Sequence, residues 1–143
     1  MNFKWVLKRR YRKNKIPNLQ ASLQKILNLL IGAHNTNLIY APPGVFSKIN
    51  AIMDHLHEIY SKGYTVKALE NVRDEIIDLI KFVKKDYLDQ NKIKPDFRDN
   101  LDYDLRETRQ NWEELIDSIV KLETSQGGSD LTQYQNLKET VAI

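Results

Sequence analysis

Apolar residues recur along most of the chain at steps of three and four, the period that places side chains on one face of a helix. The first such stripe runs Leu19, Leu23, Ile26, Leu27 and Leu30. Pro17 stands just ahead of it, Asn18 is a suitable cap, and His34-Asn35-Thr36-Asn37 follows as a polar stop. Pro42-Pro43-Gly44 opens a second stripe of Val45, Ile49, Ile52, Met53, Leu56, Ile59 and Tyr60. Lys62-Gly63 closes it with a cation in the last turn and a residue suited to the left-handed position beyond a helix end. Thr65 caps a third stripe, Leu69, Val72, Ile76, Leu79, Ile80, Val83 and Tyr87. The fourth begins near Pro95-Asp96 and carries Leu101, Leu105, Thr108, Trp112, Leu115, Ile119 and Leu122.

The fourth stripe alternates steps of four and three throughout, and the third does the same from Leu69 to Val83. A sustained heptad produces a narrow seam that interlocks with a nearly parallel or antiparallel neighbour. The link between these two helices, Gln90 to Pro95, is short, and short links favour antiparallel neighbours. The expected framework is therefore a hairpin of the third and fourth helices, each roughly 36 Å long at 1.5 Å per residue, with the two shorter helices packed against it. No segment alternates with period two, so no sheet is expected. The fold class is all-α: an up-down bundle of four main helices, with a basic N-terminal helical arm and a flexible C-terminal tail. The corresponding divisions are 1–15 for the arm, 16–124 for the bundle and 125–143 for the tail. In the tail, Gly127-Gly128-Ser129 forms a flexible link. Leu131, Tyr134, Leu137 and Val141 beyond it form one or two amphipathic turns, either frayed or docked on a partner.

Composition narrows the chemistry. A chain of 143 residues, 41% of them hydrophobic and 29% charged, suits one domain with a sizeable core. The apolar neighbourhood from Ile16 to Ile31 is interrupted by Asn18, Gln20, Gln24, Lys25 and Asn28, so it does not read as a membrane span. With no cysteine there are no disulfides, thiolate metal sites or thiol nucleophiles. At the N-terminus the apolar residues precede the cations and residues 1–15 contain no serine, so the segment reads as part of a mature, cytoplasmic protein rather than a targeting signal.

Charge is distributed unevenly. Residues 1–53 hold nine Lys and Arg and no acidic residue, whereas the remaining 90 residues carry a net charge of −6. Seven of the nine cations lie in the first 15 residues. Read as a helix, this arm places Phe3, Val6, Leu7 and Tyr11 on one face, with Arg10 in the middle of it, and Lys8, Arg9, Arg12 and Lys13 on the other with Trp5. As a nucleic-acid or nucleoprotein contact, Lys8, Arg9, Arg10, Arg12 and Lys13 meet phosphates while Trp5 and Tyr11 stack on bases. As a membrane-surface helix the aromatics enter the headgroup region, although Arg10 within the apolar face opposes this. As a purely internal feature, Phe3, Val6 and Leu7 cap the end of the bundle while the cations stay in water, or the basic part lies against the protein's own acidic part.

Candidate catalytic chemistry is sparse. Asp54 and His57 are three residues apart, the helical spacing by which carboxylate and imidazole converge on a metal in di-metal bundles, and Glu58 lies on the same side. A helical wheel places all three on the flank of their stripe rather than inside it, and no Glu-x-x-His occurs on a second helix. Asp96, Asp99, Asp102 and Asp104 crowd the start of the fourth helix, where its dipole favours them, but without the glycine that a calcium loop requires. There is no Gly-x-Ser-x-Gly elbow and no glycine-rich phosphate loop. Val66, Ile77 and Leu88 recur every 11 residues beside the third stripe, giving either a second internal contact or a face for another protein or a second copy. The resulting expectation is a non-enzymatic helical binding module without a cofactor, engaging nucleic acid through the arm. The alternatives are a regulatory factor of the inhibitor or immunity type, docking on a protein through helix faces or the tail, and a metal-dependent helical-bundle enzyme.

Overall fold

In the computed structural model the described residues are 3–41, 43–89, 94–127 and 131–139, excepting the side chains of residues 3–14 and 43. The fold is all-α, a helical bundle with no strand among the described residues. Helix α1 spans Phe3–Asn35, α2 Pro43–Lys62, α3 Val66–Val83 and α4 Pro95–Ser125. A π-helical turn, Lys84–Leu88, extends α3, and a short helix α5, Thr132–Gln135, runs into a 3-10 turn, Asn136–Lys138.

The helix boundaries follow local chemistry. The Thr65 side chain accepts from the Ala68 N–H at 3.0 Å, capping α3 as its position suggests. Gly63 ends α2 with φ of 102°, a conformation that costs glycine nothing and a branched residue a great deal. Asn37, φ 62°, turns the chain after α1, and Pro95 at the first position of α4 with Asp96 in its first turn starts the last long helix. Every residue of the third and fourth stripes is buried. Thr108, a hydroxyl in the fourth, donates to the Asp104 carbonyl at 2.9 Å and so enters the core without an unpaired group.

Two expectations are corrected. The first concerns Pro17, which does not start a helix: α1 runs through it as one element of 33 residues. Pro17 is exposed, on the side of α1 away from the buried stripe, where the lost hydrogen bond costs least. Ile16 and Leu19 on either side are fully buried and hold the helix in place. With Ile16 included, the α1 stripe becomes Ile16, Leu19, Leu23, Ile26 and Leu30, itself a heptad alternating steps of three and four.

The second correction concerns the seam. The long seam joins α4 to α1 rather than to α3, although both carry a heptad. Lys15 Nζ lies 4.0 Å from Glu114, Asn111 donates to the Asn18 carbonyl at 3.2 Å, and Lys25 Nζ lies 3.2 Å from Glu107. Rising numbers on α1 meet falling numbers on α4, so the pair is antiparallel. Helix α2 packs on α1, and α3 packs on α2. Between α3 and α4 two small elements intervene: the π-helical turn, which touches α4, and the turn Asn136–Lys138, which touches both. Over residues 131–139 the C-terminal segment packs on the chain's own bundle, α5 against α4 and the turn Asn136–Lys138 against both α3 and α4.

Replacing Pro17 tests the continuity of α1. Pro17→Ala restores a helical N–H, and a mid-helix proline costs about 3 kcal/mol relative to alanine. The expected gain is about 1–3 kcal/mol in urea unfolding, since proline also restricts the unfolded chain. A loss of stability in Pro17→Ala would show that the helix breaks there.

Candidate functional site

The seven residues assigned to nucleic acid, Trp5, Lys8, Arg9, Arg10, Tyr11, Arg12 and Lys13, belong to α1, but their side chains lie outside the described residues. The structure does account for the other cations of the first 53 residues. Lys15 faces Glu114, Lys25 faces Glu107 and Lys48 faces Asp78 at 2.7 Å. Each pairs with a carboxylate from the acidic part of the chain, so internal neutralisation holds for these three. The six cations from Lys4 to Lys13 occupy the N-terminal turns of α1, whose first turn contains no acidic residue.

The metal candidates do not converge. Asp54, His57 and Glu58 are exposed on α2, and Glu58 lies 4.0 Å from Lys62. Among the described residues no group of three or more His, Asp or Glu side chains is placed to hold one ion. Instead the neighbouring His55 turns to α3, its Nδ1 2.6 Å from Glu75 Oε1. Lys48–Asp78 and His55–Glu75 thereby bridge the outer edge of the α2–α3 pair. Two open clefts flank these bridges, about 290 Å³ beside His55, Thr65 and Asn71, and about 370 Å³ beside Ser47, Glu75 and Asp78.

His34 has a positioning role. The Ala41 N–H donates to its Nδ1 at 3.2 Å, and its ring lies 5.9 Å from Tyr40 and 6.4 Å from Phe46, between centroids. The imidazole therefore closes the α1–α2 loop. The Tyr40 carbonyl in turn accepts from Tyr87 Oη at 3.4 Å, tying that loop to the π-helical turn. Burial first, then the charge of Asp86 and the neighbouring Tyr40, pushes the Tyr87 phenol up to about 12.

A second polar constellation, absent from the sequence reading, surrounds the C-terminal segment. Trp112 is fully buried, and its indole N–H donates to the Leu137 carbonyl at 2.5 Å. Leu137 is itself buried. Lys138 Nζ meets Asp117 at 2.9 Å, and that hydrogen bond, followed by the aspartate's charge, holds the ammonium above its ordinary pKa. Arg73 of α3 donates to the Asn136 carbonyl at 3.5 Å. Of Val66, Ile77 and Leu88, the residues spaced by 11 beside the third stripe, Leu88 is partly buried against the core. At the end of the groove Tyr64 donates to the buried Glu123 at 2.6 Å, and Tyr134 meets the Tyr64 ring edge-on. Burial, with the Glu123 charge second, raises the Tyr134 phenol. The available sequence signal was Trp112 itself, a seam residue whose N–H needs an acceptor that the heptad does not provide.

Tyr87 generates a pH dependence. Its pKa is raised in the folded protein, so the stabilisation held by the neutral phenol is complete below pH 10 and is lost as pH climbs from 10 towards 12. Urea unfolding from pH 8 to 11.5 is expected to fall more steeply for the native sequence than for Tyr87→Phe. Parallel curves would show that Tyr87 ionises equally in both states.

No family model, curated protein or solved structure matches this chain.

Proposed function

We propose that the protein is a non-enzymatic binding module that engages nucleic acid or a nucleoprotein through the N-terminal turns of α1. Lys8, Arg9, Arg10, Arg12 and Lys13 contact phosphates in this reading, and Trp5 and Tyr11 stack on bases. One physical tension supports it above all. A helix N-terminus already carries about half a positive charge from its aligned peptide dipoles. Six cations fall within the first eleven residues of this helix, whose first turn holds no acidic residue, and an external polyanion would relieve both charges at once. The later cations Lys15, Lys25 and Lys48 are met by the protein's own carboxylates, and in this reading the early cluster serves an external anion instead. Because α1 is continuous, the cluster extends a rigid element of the bundle, which gives a bound strand a defined orientation. A cytoplasmic location agrees with such a partner. Among the described residues no helix is long and apolar enough to cross a membrane.

Fluorescence anisotropy with a labelled single strand tests this. If five cations neutralise phosphates, the logarithm of affinity falls with that of salt at a slope of about −3.5, a loss of roughly 130-fold between 50 and 200 mM. The combined variant Arg9→Gln, Arg12→Gln, Lys13→Gln is expected to flatten the slope by about 2.1 with its helical circular dichroism intact. Binding that ignores salt, or a folded triple variant that binds like the native protein, overturns the proposal.

A further inference from the structure

Between α1 and α2 the chain is held by two kinds of hydrogen bond. Thr36, Leu38 and Ile39 donate their backbone N–H groups to the Gly32 and Ala33 carbonyls, so this turn extends the C-terminus of α1. The next two residues are held by side chains instead. The Ala41 N–H donates to His34 Nδ1 at 3.2 Å, and the Tyr40 carbonyl accepts from Tyr87 Oη at 3.4 Å. Ala41 is 1% exposed, so water does not replace the imidazole as acceptor while the segment stays closed.

A backbone N–H can only donate, and this fixes the state of the ring. Nδ1 must offer a lone pair, so His34 is neutral with its proton on Nε2. In the imidazolium both nitrogens carry hydrogen, and no rotation of the ring restores an acceptor. Proton uptake therefore sets a second N–H against that of Ala41 and adds a charge at the same place. The loop presents the Tyr40 ring to His34, and α2 presents the uncharged Phe46. The π-helical turn brings Tyr87, with the charge of Asp86 beside it, to the far side of Tyr40. Among the described residues no carboxylate forms an ion pair with His34 that would hold its charged form in place.

From this arrangement we infer that His34 is an acid-sensitive latch: its neutral ring holds Tyr40 and Ala41 across the ends of α1 and α2, and its protonation frees that segment while the long helices stay packed. Imidazoles change charge between about pH 5 and 8, so the latch works within the range that cells and their compartments span. The opening is local because the α1–α4 seam is built from apolar side chains that do not titrate. Release uncovers the buried Ala41 and the half-buried Phe46 beside the ring.

Amide hydrogen exchange on the full chain tests this, each rate being divided by that of an unstructured amide at the same pH. Ala41 is expected to lose at least about tenfold in protection between pH 7.5 and pH 5. Ala68, whose N–H is also held by a side chain but by the Thr65 hydroxyl, keeps its protection. His34→Asn leaves an acceptor near the position of Nδ1 that does not titrate, and it is expected to make the protection of Ala41 independent of pH. The same variant separates His34 from His55 and His57, the other two imidazoles of the chain. Constant protection of Ala41 in the native chain overturns the proposal. So does a loss shared with His34→Asn or with the amides of α4, since the opening then has another origin. Should His34→Asn fail to fold, the imidazole nitrogen chemical shifts of the native chain decide. A lone pair on Nδ1 at pH 7.5, lost as the protection of Ala41 falls, supports the latch; a proton on Nδ1 already at pH 7.5 refutes it.

Discussion

The antiparallel seam between α1 and α4 is the contact on which the other elements depend. Ile16, Leu19, Leu23, Ile26 and Leu30 on one side and Leu101, Leu105, Leu115, Ile119 and Leu122 on the other are all buried. Each such side chain contributes about 1.5–3 kcal/mol when removed from water, so even two of them offset the ~3 kcal/mol penalty of a proline inside the helix. This magnitude explains why α1 passes through Pro17. The seam also leaves α2 and α3 to complete the core from the other side of α1, and it leaves the α3–α4 side to be closed by smaller pieces.

Those smaller pieces account for the remaining irregularities. The π-helical turn after α3 brings the buried Tyr87 to the α1–α2 loop, where its hydroxyl reaches the Tyr40 carbonyl. At the opposite end the C-terminal turn supplies a carbonyl to Trp112, a residue too large and too polar at its tip to be satisfied by helix packing alone. Thus the two departures from plain four-helix packing fall where α3 and α4 need a mediator.

How much of this was legible in the sequence depends on the range of the interaction. The caps and stops at Thr65, Gly63, Asn37 and Pro95 are local, and the stripes of the third and fourth helices were readable residue by residue because burial follows a period. Partner choice was not. A heptad states that a helix has a seam without naming what fills it, and taking Pro17 for a boundary removed Ile16, which extends the α1 stripe by one further step. The docked tail escaped for a related reason. Leu131, Tyr134 and Leu137 have helical spacing, but their burial is decided by a gap between distant helices. At the candidate site, the uneven charge was readable, as was the outward position of Asp54, His57 and Glu58. The pairings of Lys15, Lys25 and Lys48 required the fold to bring carboxylates from 30 to 99 residues away.

Those pairings also define what the charge asymmetry is for. Lys15–Glu114, Lys25–Glu107 and Lys48–Asp78 are all partly exposed, and such bridges contribute only about 0–1 kcal/mol each. They are too weak to be the reason the chain folds, and act instead on register: two of them, 10 residues apart on α1, favour one antiparallel alignment with α4 over its neighbours. Placing the cations early and the carboxylates late makes every such cross-pairing attractive in the native topology. The same segregation has a cost at the start of α1, where cations gather at the positive end of a helix dipole. Register needs only a few scattered charges, as on the rest of the helix, whereas six within ten residues exceed that need and oppose the local helix. This density of charge at a helix end that disfavours it is the feature on which the proposed polyanion contact rests.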